Sequence, residues 1–381
     1  MNVLIVGVTA RALAVSAARS GYRVTAVDAF GDLDLRSVAR VLVPRPERHA
    51  RFSPLAAVAA AAEVADGLAA YTSNLENYPE AVTRLGQHRQ LLGNPADVLV
   101  RVRNPILLMR TLRSRGFEVP KTRATPAIAG HHAGSWLLKP RRSGGGHGIR
   151  IWGARQPVAK TSYLQEHITG IPGSVLFAAD GSRAVPLGLS RQLVGDARLG
   201  ASGFRYCGSL LATPGAPLFP RQEELGKAAA ELASAVTEEF GLVGLNGLDF
   251  VARGGVPCPI EVNPRFSASM ELIERAHGVS MFSLHLRACR GVLPTTAPGS
   301  AEVEGKAIVF ARRDVVVGET RPWVEDSCIA DVPHPGEPIA RGRPICTVFA
   351  RAGDAPSCHR LLIRRAAAVY RAVESRKRGA A

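Results

Sequence analysis

Two strand-like runs hold the densest chemistry in the chain: Gly247-Leu248-Asp249-Phe250-Val251 and Pro259-Ile260-Glu261-Val262-Asn263, joined through Gly254-Gly255. A hairpin whose turn centres on Gly255 pairs position i with 510 − i. That sets Asp249 directly opposite Glu261 and leaves Asn263 two residues on, sharing a face with Glu261. Like charges facing each other destabilise a sheet unless something neutralises them. Two carboxylates with an amide oxygen are a donor set for a hard cation, Mg²⁺ or Mn²⁺, bridging phosphates. Arg265 follows in Asn-Pro-Arg, where a guanidinium beside that face suits a transferring phosphoryl group. A solvated polar face is the alternative reading.

A second segment runs Trp136-Leu137-Leu138-Lys139-Pro140-Arg141-Arg142-Ser143-Gly144-Gly145-Gly146-His147-Gly148-Ile149-Arg150-Ile151. An apolar strand ends in a lysine, a glycine-rich loop follows, and a strand resumes. Without Cβ atoms the loop's N–H groups can approach a phosphate, and Lys139 adds a point charge. No GK[ST] leads into a helix, so this is not a Walker A loop; a flexible surface hairpin would read the same way. Ser162-Tyr163-Leu164-Gln165-Glu166-His167-Ile168 is an apolar strand with a polar end, weak by itself.

The elements that must position these groups begin with β-α-β: apolar Val3 to Val6, helical spacing over Ala10 to Ser20, and a strand from Tyr22 to Val27 ending at Asp28. A parallel pair joined by a crossover helix predicts a doubly wound α/β layer. The dinucleotide fingerprint fails, because Gly7 is followed by Val8, Thr9, Ala10, Arg11 and Ala12 in place of the second and third glycines. Further helices are expected over Ala56 to Ala70, Asn104 to Gly116 and Gln222 to Phe240. Residues 135 to 295 read as α+β. From about Glu302 the chain is β-rich and punctuated by prolines, and it closes on a helix and the basic tail Ser375-Arg376-Lys377-Arg378. There is no internal repeat.

Composition bounds the function. At 381 residues with 46% hydrophobic and 21% charged residues, the chain is expected to fold as two or three units, neither disordered nor collagen-like. Six cysteines without a CxxC support neither a zinc site nor a thioredoxin motif, and free thiols are expected. The most Ala-rich stretch, Leu55 to Tyr71, contains Glu63 and Asp66, so no membrane span is expected, and the protein is read as cytoplasmic. The net charge of +16 admits a polyanion partner, but aromatics at 6% give no stacking platform for nucleic acid.

The order of the three segments resembles the ATP-grasp superfamily, specifically its carboligase-like members related at a distance to biotin carboxylase and D-alanine ligase. The resemblance implies a pre-ATP-grasp α/β domain over 1–100, a two-lobed ATP-grasp fold over 101–295, and a C-terminal β-rich cap with a terminal helix over 296–381. It implies ATP between the lobes, with Lys139 on the phosphates and Ser143, Gly144, Gly145, Gly146, His147 and Gly148 closing over them. Glu166, His167 and Ile168 match the segment that holds adenine. Asp249, Glu261 and Asn263 match the magnesium ligands, and Arg265 the arginine that steadies an acyl-phosphate transition state. Arg103-Asn104-Pro105 stands where many relatives have a phosphate-contacting lysine, and Ile171-Pro172-Gly173-Ser174 where a ribose-binding Glu is common. The implied reaction is ATP-dependent ligation of a carboxylate to an amine through an acyl phosphate. Glutamate in coenzyme biosynthesis is a candidate substrate, held by Arg191, Arg198 and Arg205. Other ATP-grasp chemistry, carboxylation included, is the alternative, and a basic nucleic-acid binder a third. Partners are then small molecules, with neither nucleic acid nor membrane, in a homodimer as in relatives.

Overall fold

The computed structural model describes residues 1–44, 52–64, 67–124, 135–153, 157–295 and 302–374. The basic tail at 375–378 lies outside them.

The chain opens β1 (Asn2–Val6), α1 (Arg11–Arg19), β2 (Arg23–Val27), α2 (Leu33–Arg36), β3 (Ala39–Leu42), α3 (Pro54–Ala61), β4 (Leu68–Tyr71), α4 (Pro79–Gly86) and β5 (Gln90–Leu92). The five strands form one parallel sheet in the order β3-β2-β1-β4-β5, so the order reverses between β1 and β4. In open α/β sheets such a switch point is the usual ligand crevice. Here it is filled by protein. A Cβ on Gly7 would lie 1.9 Å from Thr72 Oγ1, so this glycine admits a neighbouring strand end and not a pyrophosphate. Asp28 accepts from the N–H groups of Ala10, Phe30 and Gly31 at 2.7, 2.7 and 2.8 Å and caps the turn.

Next come α5 (Ala96–Val102) and α6 (Pro105–Ser114), whose cap Asn104 accepts from the N–H groups of Ile106 and Leu107 while Pro105 takes the first helical position. A small antiparallel sheet follows in the order β6-β9-β7-β8, from β6 (Thr122–Arg123), β7 (Trp136–Pro140), β8 (Arg150–Ile151) and β9 (Ser162–Glu166).

The chain continues through β10 (Ile171–Asp180), β11 (Ala184–Val194), β12 (Tyr206–Leu211), α7 (Gln222–Phe240), β13 (Val243–Arg253), β14 (Val256–Asn263), α8 (Met270–His277), α9 (Met281–Cys289), β15 (Val303–Phe310), β16 (Val315–Val316), β17 (Ile329–Ala330), β18 (Pro338–Ile339), β19 (Pro344–Ala352) and α10 (Ala355–Glu374), and eight of these strands form one large antiparallel sheet. Its order is β14-β13-β10-β11-β12-β15-β19-β17. The C-terminal strands therefore continue the central sheet edge to edge, and β16-β18 form a separate ribbon.

One face of the large sheet, with Val175, Phe177, Leu248 and Phe250, packs on Leu225, Leu232 and Val236 of α7, and the same core reaches Leu362 and Val369 of α10. The other face, with Leu176, Ala178 and Leu245, packs on Ile273, Phe282 and Leu13, which joins it to α1. Each buried Leu or Phe contributes roughly 1.5–3 kcal/mol, so both faces are held firmly. At one end the second face turns polar. Ser190, Ser174, Asp249 and Glu261 are successive register partners across β11, β10, β13 and β14. No helix among the described residues is long and apolar enough to cross a membrane, and the six cysteines are free.

Candidate nucleotide and metal site

Asp249 and Glu261 are direct cross-strand partners. The route to that pairing differs from the sequence expectation. Gly254 and Gly255, at φ 56° and 89°, make a two-residue turn, as such hairpin turns require, so Arg253 pairs with Val256 and Phe250 with Pro259. A bulge between Asp249 and Phe250 then adds one residue on β14 and restores the expected register beyond it. Without it, one-residue slippage would turn Glu261 to the opposite face.

Asp249 is pushed up to about 6, first by burial and then by Glu261 across from it. Burial also acts to raise Glu261, but Arg103, Lys139 and Arg265 overcome it and hold that carboxyl below its ordinary value. The amide of Asn263 donates to Asp249 Oδ2 at 3.0 Å, and Arg265 Nη2 donates to Asn263 Oδ1 at 3.2 Å. Among the described residues no group of three or more His, Cys, Asp or Glu is arranged to hold a metal. The set here is two carboxylates and an amide. Two facing carboxylates, one with its pKa raised by burial and by the other, fit a divalent cation, whose charge favours the ionised form of both.

Lys139, at the end of β7, is buried, and its Nζ donates to Gln165 Oε1 at 3.0 Å. Burial acts to lower its pKa, but Tyr163 and Glu261 outweigh that, so it stays charged. Arg103 Nη1 reaches Val262 O at 2.9 Å and Glu261 Oε2 at 3.5 Å. It stands on the Glu261 side of the cleft. Arg103, Lys139, Ser143, Gly146, Ile149 and Glu261 line a cleft with about 490 Å³ of empty space, partly open to solvent.

The glycine-rich loop roofs this cleft. Ser143 Oγ donates to His147 O at 2.6 Å, and Tyr206 N donates to Gly145 O at 3.1 Å. Gly146 has φ 75°, and a Cβ there would meet Phe204 O at 1.8 Å, so only glycine lets the loop lie against the segment before β12. Gly144 faces open space.

The remaining expected residues are distributed differently. Glu166 N donates to Lys121 O at 2.8 Å and His167 N to Ser135 O at 2.9 Å, while Glu166 Oε2 accepts from Lys121 N at 3.0 Å. Those two backbone donors are already used within the small sheet, and half-buried Ile168 lies just past β9. The arginine clamp is not assembled. Arg191 follows Ser190 in β11, so the pleat turns it to the face away from Asp249. Arg198 is bound to Asp196 at 2.8 Å, and with Arg191 it acts on His359 of α10. Arg205 donates to Gly342 O at 2.7 Å, lies near His147 Nε2 at 3.4 Å, and stacks over Phe310. Sequence reading missed Gln165, a buried polar residue inside an apolar strand and so detectable in principle. It also missed Glu76 and Asn77, for which local sequence carries no signal.

Residues 102–269 match the ATP-grasp domain family. A stretch of 123 residues is 28% identical to an uncharacterized protein of Methanocaldococcus jannaschii, covering 32% of this chain and 30% of that one. Three solved structures are similar over nearly the whole length. N5-carboxyaminoimidazole ribonucleotide synthetase from Thermus thermophilus is 20% identical with a TM-score of 0.66, covering 97% of this chain and 98% of its own. Biotin carboxylase from Campylobacter jejuni is 14% identical at 0.72, covering 97% and 91%. L-amino acid ligase from Bacillus licheniformis is 15% identical at 0.67, covering 97% of both chains. Residues 102–269, which contain the glycine-roofed cleft and the paired carboxylates, are an ATP-grasp domain.

Proposed function

We propose that the protein joins a carboxylate to an amine by way of an acyl phosphate, with ATP lying in the cleft between the two sheets of residues 102–269. The observation that carries this reading is the meeting of Lys139, Arg103 and Arg265 around Glu261, opposite Asp249 and under the glycine-rich loop. Phosphoryl transfer asks little covalent help of a protein; it asks for position and charge.

Asp249, Glu261 and Asn263 would hold Mg²⁺ or Mn²⁺, which when bound neutralises phosphate charge. Lys139, kept charged by Tyr163 and Glu261, holds the terminal phosphates, and Arg103 supports them from the other side. The substrate carboxylate oxygen attacks the γ-phosphorus, the bond from that phosphorus to the β,γ-bridging oxygen breaks, and ADP leaves. Arg265 steadies the developing charge. The amine nitrogen then attacks the acyl carbon, phosphate departs, and the amine loses a proton. The loop from Ser143 to Gly148 keeps water from the acyl phosphate.

Because Arg191 lies on the face away from Asp249 and Arg198 and Arg205 are bound to Asp196 and Gly342 O, glutamate has no clamp beside the paired carboxylates and is not favoured over other acids. Bicarbonate is the second candidate carboxylate, since two of the similar structures are a carboxylase and a carboxyamino-forming synthetase. The test is ADP release from Mg-ATP across carboxylates, bicarbonate included, each paired with amines. A pair-dependent signal supports ligation and names the substrates. Release that needs bicarbonate selects carboxylation. No release with any pair, together with no binding of Mg-ADP, overturns the reading.

A further inference from the structure

The single helical turn Leu75 to Asn77 follows β4 of the N-terminal parallel sheet, yet two of its side chains reach residues of the cleft. Glu76 is 1% exposed and Asn77 5%. Glu76 Oε1 lies 2.9 Å from Arg265 Nη2. Neither of its oxygens makes a hydrogen bond of good geometry, so this ion pair is what compensates its burial. Asn77 Oδ1 accepts from Arg103 Nε at 3.2 Å and Nη2 at 2.9 Å, and its amide donates to Ser143 O of the glycine-rich loop at 3.3 Å. The same sheet also grips the backbone beside Arg265. Tyr71 Oη donates to Pro264 O at 3.3 Å and Asn94 Nδ2 to it at 3.0 Å.

We infer that Glu76 and Asn77 are positioning residues for the reaction: Glu76 aims the Arg265 guanidinium at the transferring phosphoryl group, and Asn77 sets Arg103 and the loop on the bound phosphates. This rests on the function proposed above. An arginine side chain has several rotatable bonds, and a fixed carboxylate or amide behind it removes the freedom that would otherwise blur its aim. Because both partners come from another sheet, the site is assembled only when the N-terminal unit docks on residues 102–269.

The two arms separate by kinetics. Glu76→Gln keeps the shape and removes the charge. It is expected to lower the rate of ADP release from Mg-ATP by roughly ten- to a hundredfold, the usual range for a supporting partner, with the KM for ATP unchanged. Asn77→Ala is expected to weaken Mg-ADP binding, read by calorimetry, by about tenfold.

A double-mutant cycle distinguishes positioning from bracing. In an Arg265→Ala background, Glu76→Gln should change the rate by less than about twofold, and in Arg103→Ala, Asn77→Ala should change Mg-ADP affinity equally little. If Arg265→Ala does not fold, Arg265→Lys serves as the background, and the Asn77 arm needs no turnover at all. Equal losses in both backgrounds, or a lowered melting temperature with both constants unchanged, overturn the inference and leave the nucleotide site standing. A wild-type protein that binds no Mg-ADP overturns the proposed function itself.

Discussion

Two buried ion clusters lie on the same face of the large sheet, and they are completed differently. In the first, Arg11 at the start of α1 reaches across to the C-terminal half: its Nη2 donates to Glu271 Oε2 at 3.1 Å and its Nε to Asp331 Oδ1 at 2.8 Å. Lys306 Nζ donates to Glu271 Oε2 at 2.6 Å. Asp34 accepts from the N–H groups of Asp331 and Val332, each at 2.9 Å. Arg11 and Lys306 overcome burial and hold Glu271 far below its ordinary value. In the second cluster, at the cleft, Asp249 is raised, Glu76 has no hydrogen bond, and Arg265 Nε is buried without a partner. The first cluster closes its charges on one another and joins units of the fold. The second leaves Asp249 raised and polar atoms of Glu76 and Arg265 without hydrogen bonds beside a cleft, where a cation and its phosphates would complete them. Burial of charge does not by itself mark a site; the degree to which protein partners complete it does.

The largest effect should fall on the closed cluster. Arg11→Met removes the cation shared by Asp331, Asp34 and Glu271, of which only Glu271 keeps a directly paired lysine, and is expected to destabilise by about 3–5 kcal/mol, seen in denaturant unfolding, with ADP release per folded molecule unchanged. A variant of full stability would remove the contrast. His285 gives a third case, a buried titratable group with no counter-charge. Its Nδ1 accepts from Leu245 N at 2.9 Å, and Nε2 lies 3.2 Å from Leu92 O, a pattern that only the neutral ring satisfies. Burial pulls its pKa down to about 4. Below the unfolded value of about 6.5 the unfolded chain binds a proton that the native one refuses. Stability therefore falls with pH from about 6.5 to about 4, by about 3 kcal/mol in all. Above that window the group contributes no pH dependence. Titrating unfolding of His285→Gln beside the wild type should show a shallower slope for the variant; parallel curves would refute it.

Glu261→Gln acts on the open cluster. It relieves the repulsion on Asp249, so the melting temperature should hold, while ADP release falls by at least about a hundredfold. Normal turnover would show that the paired carboxylates are only a polar face. The smallest effect is expected in the roof. Gly146→Ala places a methyl group against Phe204 O and should weaken Mg-ADP binding about tenfold, whereas Gly144→Ala, in open space, should not. Equal responses would mean that the loop does not seat on the nucleotide.

Much of the frame was legible because it is local. The β-α-β opening and the helix from Gln222 to Phe240 follow from spacing, and the end of that helix from Gly241 at φ 71°. The Asp249–Glu261 pairing was also reached, though through a turn half a residue off and a bulge that a symmetric hairpin does not contain. The two errors cancelled because one extra residue on β14 offsets the tighter turn. The arginine clamp failed for a related reason: proximity in sequence suggested convergence, while the pleat sends Arg191 to the far face.

The sequence by itself determined which segments carry charge and glycine, and in what order, since strand alternation, helix caps and turn glycines depend on neighbours a few residues away. Only the tertiary structure decided how those charges are completed. Glu76 meets Arg265 and Asn77 meets Arg103 across the junction of two sheets, and Arg11 meets Asp331 over a separation of 320 residues. A side chain's local sequence records that it is charged; its partner is set by which surfaces the hydrophobic cores press together.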